Sequence, residues 1–165
     1  MFVLGLDPGT AITGYGVIEA LPDGAFRAVD YGVITTPAKT PLAERLLLLH
    51  QELEALLTRH ALRGAAVERL FFQRNVTTAM SVGQARGVLL LTLAQHGLAV
   101  AEYTPNEVKE AITGYGSAGK AQMQRMIQML LGLETLPRPD DAADALAVAL
   151  CHAQRLRWQA RTGAA

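Results

Sequence analysis

The chain has 165 residues, 50% hydrophobic and 18% charged, which suits about one folded domain with a full core and excludes a disordered chain. Lys plus Arg and Asp plus Glu number 15 each, so the formal net charge is zero. That argues against polyanion binding through bulk charge, while leaving room for a local basic face beside an acidic cleft. The single cysteine, Cys151, excludes an internal disulfide. No apolar run nears the ~18 residues that cross a bilayer. No basic leader precedes the first apolar run, and the chain reads as cytoplasmic, with no membrane partner.

Met1 to Leu6 is short and apolar and predicts a strand buried on both faces, closed by Asp7 and the turn Pro8-Gly9-Thr10. Ile12 to Ala20 and Ala25 to Thr36 predict two more strands, split by Leu21-Pro22-Asp23-Gly24. Leu42, Leu46, Leu49, Leu53, Leu56 and Leu57 repeat at helical spacing between Pro41 and His60, and Gly64 is the expected break. Ala65 to Phe71 predicts a strand that carries Glu68. Thr77 to His96 predicts a helix, and Leu98 to Tyr103 a strand. Pro105 opens a helix to Ile112, Thr113 to Gly119 is a loop, and helices follow at Lys120–Leu131 and Asp141–Trp158. A domain over 1–158 and a frayed tail over 159–165 complete the reading. Three hairpin-like strands followed by strand–helix–strand units give an α/β fold, a mixed sheet with helices on both faces.

Asp7 is the informative residue. A carboxylate against a core must be paired, hydrogen-bonded or bound to a metal. Capping its own turn is one explanation. Glu68 on another strand, and Asp141 and Asp144 three apart on one face of a helix start, offer a second. The helix dipole accounts for Asp141 and for Asp140, which suits an N-cap, but it fades before Asp144, set among alanines and Leu146. Four converging carboxylates repel one another without cations. An all-oxygen donor set suits Mg²⁺ or Mn²⁺, and two such ions ~4 Å apart can hydrolyse a phosphodiester.

Leu4-Gly5-Leu6-Asp7-Pro8-Gly9-Thr10 with Thr13-Gly14-Tyr15-Gly16-Val17 resembles the first motif of the RuvC family of Holliday junction resolvases. Glu68 with Phe71 and Asn75 is similar to the second, Gly83-Gln84-Ala85-Arg86-Gly87 to the central helix, and Val108-Lys109 with Gly116 to Lys120 to the basic segment. Asp141-Ala142-Ala143-Asp144-Ala145-Leu146-Ala147 resembles the last. The resemblance implies a ribonuclease H-like fold with a five-stranded mixed sheet. It implies a homodimeric, divalent-metal endodeoxyribonuclease that resolves four-way DNA junctions by paired symmetric nicks, leaving 5′-phosphate ends, in recombination and repair. A branch-migration helicase complex is a further implied partner. Asp7, Glu68, Asp141 and Asp144 become the catalytic acids and the ligands for two ions of Mg²⁺ or Mn²⁺. Phe71 becomes a stacking residue, with Arg69, Phe72 and Arg74 as neighbouring DNA contacts and Lys109 and Lys120 as phosphate contacts. Gly83, Gln84, Arg86 and Gly87 fall at the dimer interface. Two departures stand out: Arg69 replaces a usual Gln, and Ala11 an expected basic residue.

Gly114 to Lys120 has the spacing of a nucleotide-binding P-loop, but Ala121 replaces the Ser or Thr that holds Mg²⁺, and a helix precedes it instead of a strand. One ring of the adjacent Phe71 and Phe72 is expected to be exposed, free to stack on a base. Arg86 and Arg125 join the candidate phosphate contacts. His50, His60, His96 and His152 lack metal spacing. Two rival readings remain: an actin-like or sugar-kinase-like nucleotide-binding protein, whose first phosphate motif resembles Leu6 to Thr10, and a junction-binding module without catalysis.

Overall fold

The computed structural model describes residues 1–69 and 76–163. Among them five strands form one sheet: β1 (Phe2–Asp7), β2 (Ile12–Ala20), β3 (Phe26–Thr35), β4 (Leu62–Glu68) and β5 (Val100–Tyr103). Their order is β3-β2-β1-β4-β5. β1 pairs antiparallel with β2, and β2 with β3, through tight turns. β4 lies parallel to β1, and β5 parallel to β4. The helices α1 (Leu42–Arg59), α2 (Val76–Gln95), α3 (Pro105–Thr113), α4 (Lys120–Leu130) and α5 (Asp140–Thr162) cover both faces.

The period of two along each strand divides the core in two. Leu4, Leu6, Val17, Ala65 and Val67 face α1 and α2, against Leu49, Leu53, Leu56, Ala85, Leu89 and Leu93. Val3, Ile18 and Ala66 face the other way, against Val108, Ile112, Ile127, Leu146 and Leu150. Each buried Leu, Ile or Val among them contributes about 1.5–3 kcal/mol by leaving water. α5 is buried from Ala142 to Ala153, Asp144 excepted, because it lies directly on the β1–β2 backbone. Glycines permit that approach: a Cβ on Gly16 would stand 2.9 Å from the Leu146 Cα, and one on Gly5 or Gly14 would collide with the main chain of Ala145 or Asp141.

Four boundaries differ from the sequence expectation. β4 begins at Leu62 and ends at Glu68, because its parallel register with β1 runs from Phe2 opposite Leu62 to Leu6 opposite Val67. Gly64 is therefore no helix breaker. It sits inside β4, where a Cβ would come within 3.1 Å of the His152 ring. β5 starts at Val100 instead of Leu98. α5 continues past Trp158 through the segment expected to fray and stops at Gly163, whose φ of 66° ends the helix with a bond to the Gln159 carbonyl. The Arg157 guanidinium anchors that last stretch, lying 4.1 Å over the Phe26 ring and donating to the Gly24 and Ala25 carbonyls. Cys151 is buried as expected, and burial pushes its thiol up to about 11. Among the described residues no helix is long and apolar enough to cross a membrane.

Candidate active site

β1 and β4 run parallel side by side, so their C-terminal ends bring Asp7 and Glu68 to the same edge of the sheet. The turn after Asp7 is fixed by Thr13, whose hydroxyl donates to the Gly9 carbonyl over 2.7 Å. A second hydroxyl, that of Thr36, donates to the Thr10 carbonyl over 2.6 Å. Asp7 pairs with Gly14 across the β1–β2 ladder, and the bare backbone of Gly14 receives the start of α5. The sheet thus carries Asp141 and Asp144 toward Asp7.

The four carboxylates feel one another. Burial first, then Glu68, Asp144 and Asp141, push the Asp7 carboxyl up to about 8. Burial and then Asp144 raise Glu68, while its hydrogen bond with Asp7 and the charge of Lys109 oppose the rise. A side-chain hydrogen bond links Asp7 and Glu68, holding the first carboxyl up and the second down. Asp144 is raised by burial, against the pull of Lys120, with Asp141 and Asp140 adding repulsion. A cavity of about 310 Å³ opens beside them, lined by Glu68, Asp144, Lys109, Lys120, Val108 and Met123 among others. Two acids and two lysines around one cavity suit a phosphate bound through cations and ammonium groups.

The donor set fits hard divalent ions, since the cavity lining has no histidine or cysteine. Among the described residues no three acids stand close enough to hold an ion as they are placed. Asp7 instead turns to Glu68, which is how two crowded carboxyls relax when one is protonated.

The remaining predicted residues divide. Lys109 and Lys120 line the cavity. Arg69, at the end of β4, lies 3.7 Å from Glu102. Arg125 is exposed on α4. Arg86 points inward: its guanidinium stands 2.6 Å from Glu102 and its buried Nε has no hydrogen-bond partner among the described residues. It therefore leaves the outer face of α2 to Gly83, Gln84 and Gly87, with open space over both glycines. Phe71, Phe72 and Arg74 lie outside the described residues. Asp140 is no N-cap; Pro139 holds that position and Asp140 is the first helical residue. Its carboxylate is taken by Lys120, Gln124 and Arg138. Sequence reasoning missed that cluster and the Thr13 bond; the second had a signal in the Thr-Gly-Tyr-Gly run.

A family model described as crossover junction endodeoxyribonuclease RuvC matches residues 3–152. The chain is 56% identical over 165 residues to the crossover junction endodeoxyribonuclease RuvC of Desulfitobacterium hafniense, covering 100% of this chain and 99% of that protein. It is 58% identical over 153 residues to the protein of the same name from Chloroflexus aggregans, 93% of each. Among solved structures, T. thermophilus RuvC in complex with Holliday junction substrate superposes with a TM-score of 0.88 at 34% identity, over 96% of both chains. A match spanning both core faces and all four acids, with relatives identical at more than half of the aligned positions, places the fold as ribonuclease H-like, and the chain belongs to the RuvC family of crossover junction endodeoxyribonucleases.

Proposed function

We propose that this endodeoxyribonuclease resolves four-way DNA junctions with Mg²⁺ or Mn²⁺ held by Asp7, Glu68, Asp141 and Asp144. One observation carries the reading: a carboxyl at a strand end is pushed up to about 8 by burial and by three acids from two other elements. A turn cap needs none of those neighbours, and a nucleotide-binding or purely architectural module gives them no task. When bound, the ions supply Lewis acidity at the phosphodiester and lower the pKa of an attacking water.

The chain's own groups do the rest. Asp7 and Glu68 would hold the ions as carboxylates, which requires both to be deprotonated. Lys109 and Lys120 set their ammonium groups against a backbone phosphate and offset its developing charge. Val108, Ala118 and Met123 supply an apolar wall that keeps bulk water from the phosphate. Phe71 stacks near the junction centre, with Phe72, Arg69 and Arg74 as flanking DNA contacts. Two copies meet through α2, where the exposed Met80 and Leu91 share a face with Gly83, Gln84 and Gly87. Small residues on such a stripe allow close helix approach, and two-fold symmetry presents two sites to two strands of the junction. The T. thermophilus relative was solved with a Holliday junction, which supports this substrate. A branch-migration helicase complex would deliver it.

A synthetic four-way junction with Mg²⁺ or Mn²⁺ tests the reading. Paired nicks by the native chain, lost in Asp7→Asn while junction binding persists, are the expected result. Nicking that survives both Asp7→Asn and Asp141→Asn overturns it.

A further inference from the structure

Asp140 opens α5 beside the catalytic acids, yet its carboxylate is occupied elsewhere. Gln124 donates its amide to Oδ1 over 2.8 Å. Arg138 donates to the same oxygen over 2.9 Å. Oδ2 is left to the Lys120 ammonium at 2.9 Å. Gln124 is only 7% exposed and follows Lys120 by one turn of α4. A first-turn acid serves the helix dipole without any of these partners. A buried amide aimed at one oxygen of that acid is a different matter: it fixes the carboxylate's orientation and leaves its second oxygen facing Lys120.

The two members of the ion pair are therefore unequal. Asp140 is held from two sides, whereas Lys120 is a long, 58% exposed side chain that would otherwise sample many rotamers. So exposed a pair contributes little to stability. Its effect is geometric. The ammonium is retained at the rim of the cavity that Lys120 shares with Lys109, Glu68 and Asp144.

We propose that Asp140 is a positioning residue for strand cleavage, holding the Lys120 ammonium at the rim of the acidic cleft where the reacting phosphodiester must pass. This rests on the reading above, in which Lys120 contacts that phosphate. Asp140 acts through Lys120 and takes no ion itself, because both of its oxygens are already engaged by donors.

Single-turnover cleavage of a synthetic four-way junction by excess full-length enzyme with Mg²⁺ tests it, beside junction affinity without metal. The variants are Asp140→Asn, Asp140→Glu, Lys120→Met and the double Asp140→Asn/Lys120→Met. Asn keeps the shape and the oxygen that Gln124 and Arg138 use, and loses the charge that faces Lys120. Asp140→Asn is expected to slow cleavage roughly tenfold with affinity unchanged, as misplacement of a catalytic group does. Glu is expected to restore part of the rate. In the Lys120→Met background the Asn change is expected to have no further effect. An equal loss in that background means that Asp140 acts by another route and overturns the proposal; so does full-rate Asp140→Asn, whatever its affinity. If Lys120→Met itself cuts at full rate, the reading of Lys120 fails and the proposal falls with it. If Lys120→Met is slow while Asp140→Asn is fast, only the proposal falls.

Discussion

Gly14 touches Asp141 backbone to backbone: a Cβ added to the glycine would lie 2.6 Å from the Asp141 carbonyl carbon. The same Gly14 sits opposite Asp7 in the sheet. One missing side chain thus sets the spacing between an acid on the first strand and an acid on the last helix. Gly14→Ala must push α5 outward. Such overpacking costs typically ~1–3 kcal/mol, and a displacement near 1 Å at a reacting group costs up to ~100-fold in rate. Melting temperature and junction cleavage should therefore fall together. A variant that cuts normally and melts like the parent contradicts this account of the helix position.

Asp7 gives the metal-free protein a pH dependence of defined sign. Its carboxyl holds a proton up to about 8 when folded, against 3.8 when free. Between those values the folded chain binds more protons than the unfolded one, so stability falls as pH rises. The loss should be on the order of 4 kcal/mol between pH 5 and 8, and Asp7→Asn should abolish it and raise the melting temperature at pH 8. Thermal melts with chelator across that range measure the effect. A parent protein that gains stability toward pH 8 would show that the carboxylates do not crowd one another as described.

His152 has the opposite sign. Its Nδ1 is hydrogen-bonded to the Tyr103 hydroxyl over 2.9 Å, and burial holds its pKa down at about 4 against 6.5. The unfolded chain takes up the proton first, so this contribution is complete above pH 6.5 and is lost as pH falls toward 4. Tyr103→Phe strands the buried ring nitrogen and should cost about 1–3 kcal/mol at neutral pH. Junction cleavage should stay at the parent level, since neither residue lines the acidic cavity. His152→Leu should flatten the acid limb of the melting curve. If it leaves that limb as steep as before, another group is responsible.

The outer face of α2 makes a prediction about assembly. Leu91 is 59% exposed and Gly87 has open space above it. Leu91→Arg should leave the single copy folded, because the side chain meets solvent, and should halve the mass measured by sedimentation. Nicking should then become unpaired, one strand at a time. A variant that sediments as the parent does removes α2 from the interface.

Much of this site can be read from residue order because its elements end on charge. An apolar run stopped by Asp7, a second apolar strand that carries Glu68 and the three-residue step from Asp141 to Asp144 are local patterns, and local patterns survive folding. What was hidden depends on distant partners. Gly64 looks like a breaker until His152 arrives above it. Asp140 looks like a cap until Gln124, Arg138 and Lys120 converge on it. The end of α5 looks frayed until Arg157 finds Phe26. Arg86 carried two expectations, an interface residue by resemblance and a phosphate contact by charge, and α2 is apolar enough that spacing alone does not say which face meets the sheet.

The order of elements has a consequence for the cell that makes this chain. Asp7 belongs to the first strand and Asp144 to the last helix, which lies over β1 and β2. A nascent chain folds from its N-terminal side as it emerges. Until residue 144 is added, one face of the sheet lacks its cover and the cleft lacks half of its acids. On the proposed assignment, a chain that stops short of Asp144 holds only part of its acidic set and is expected not to cut DNA.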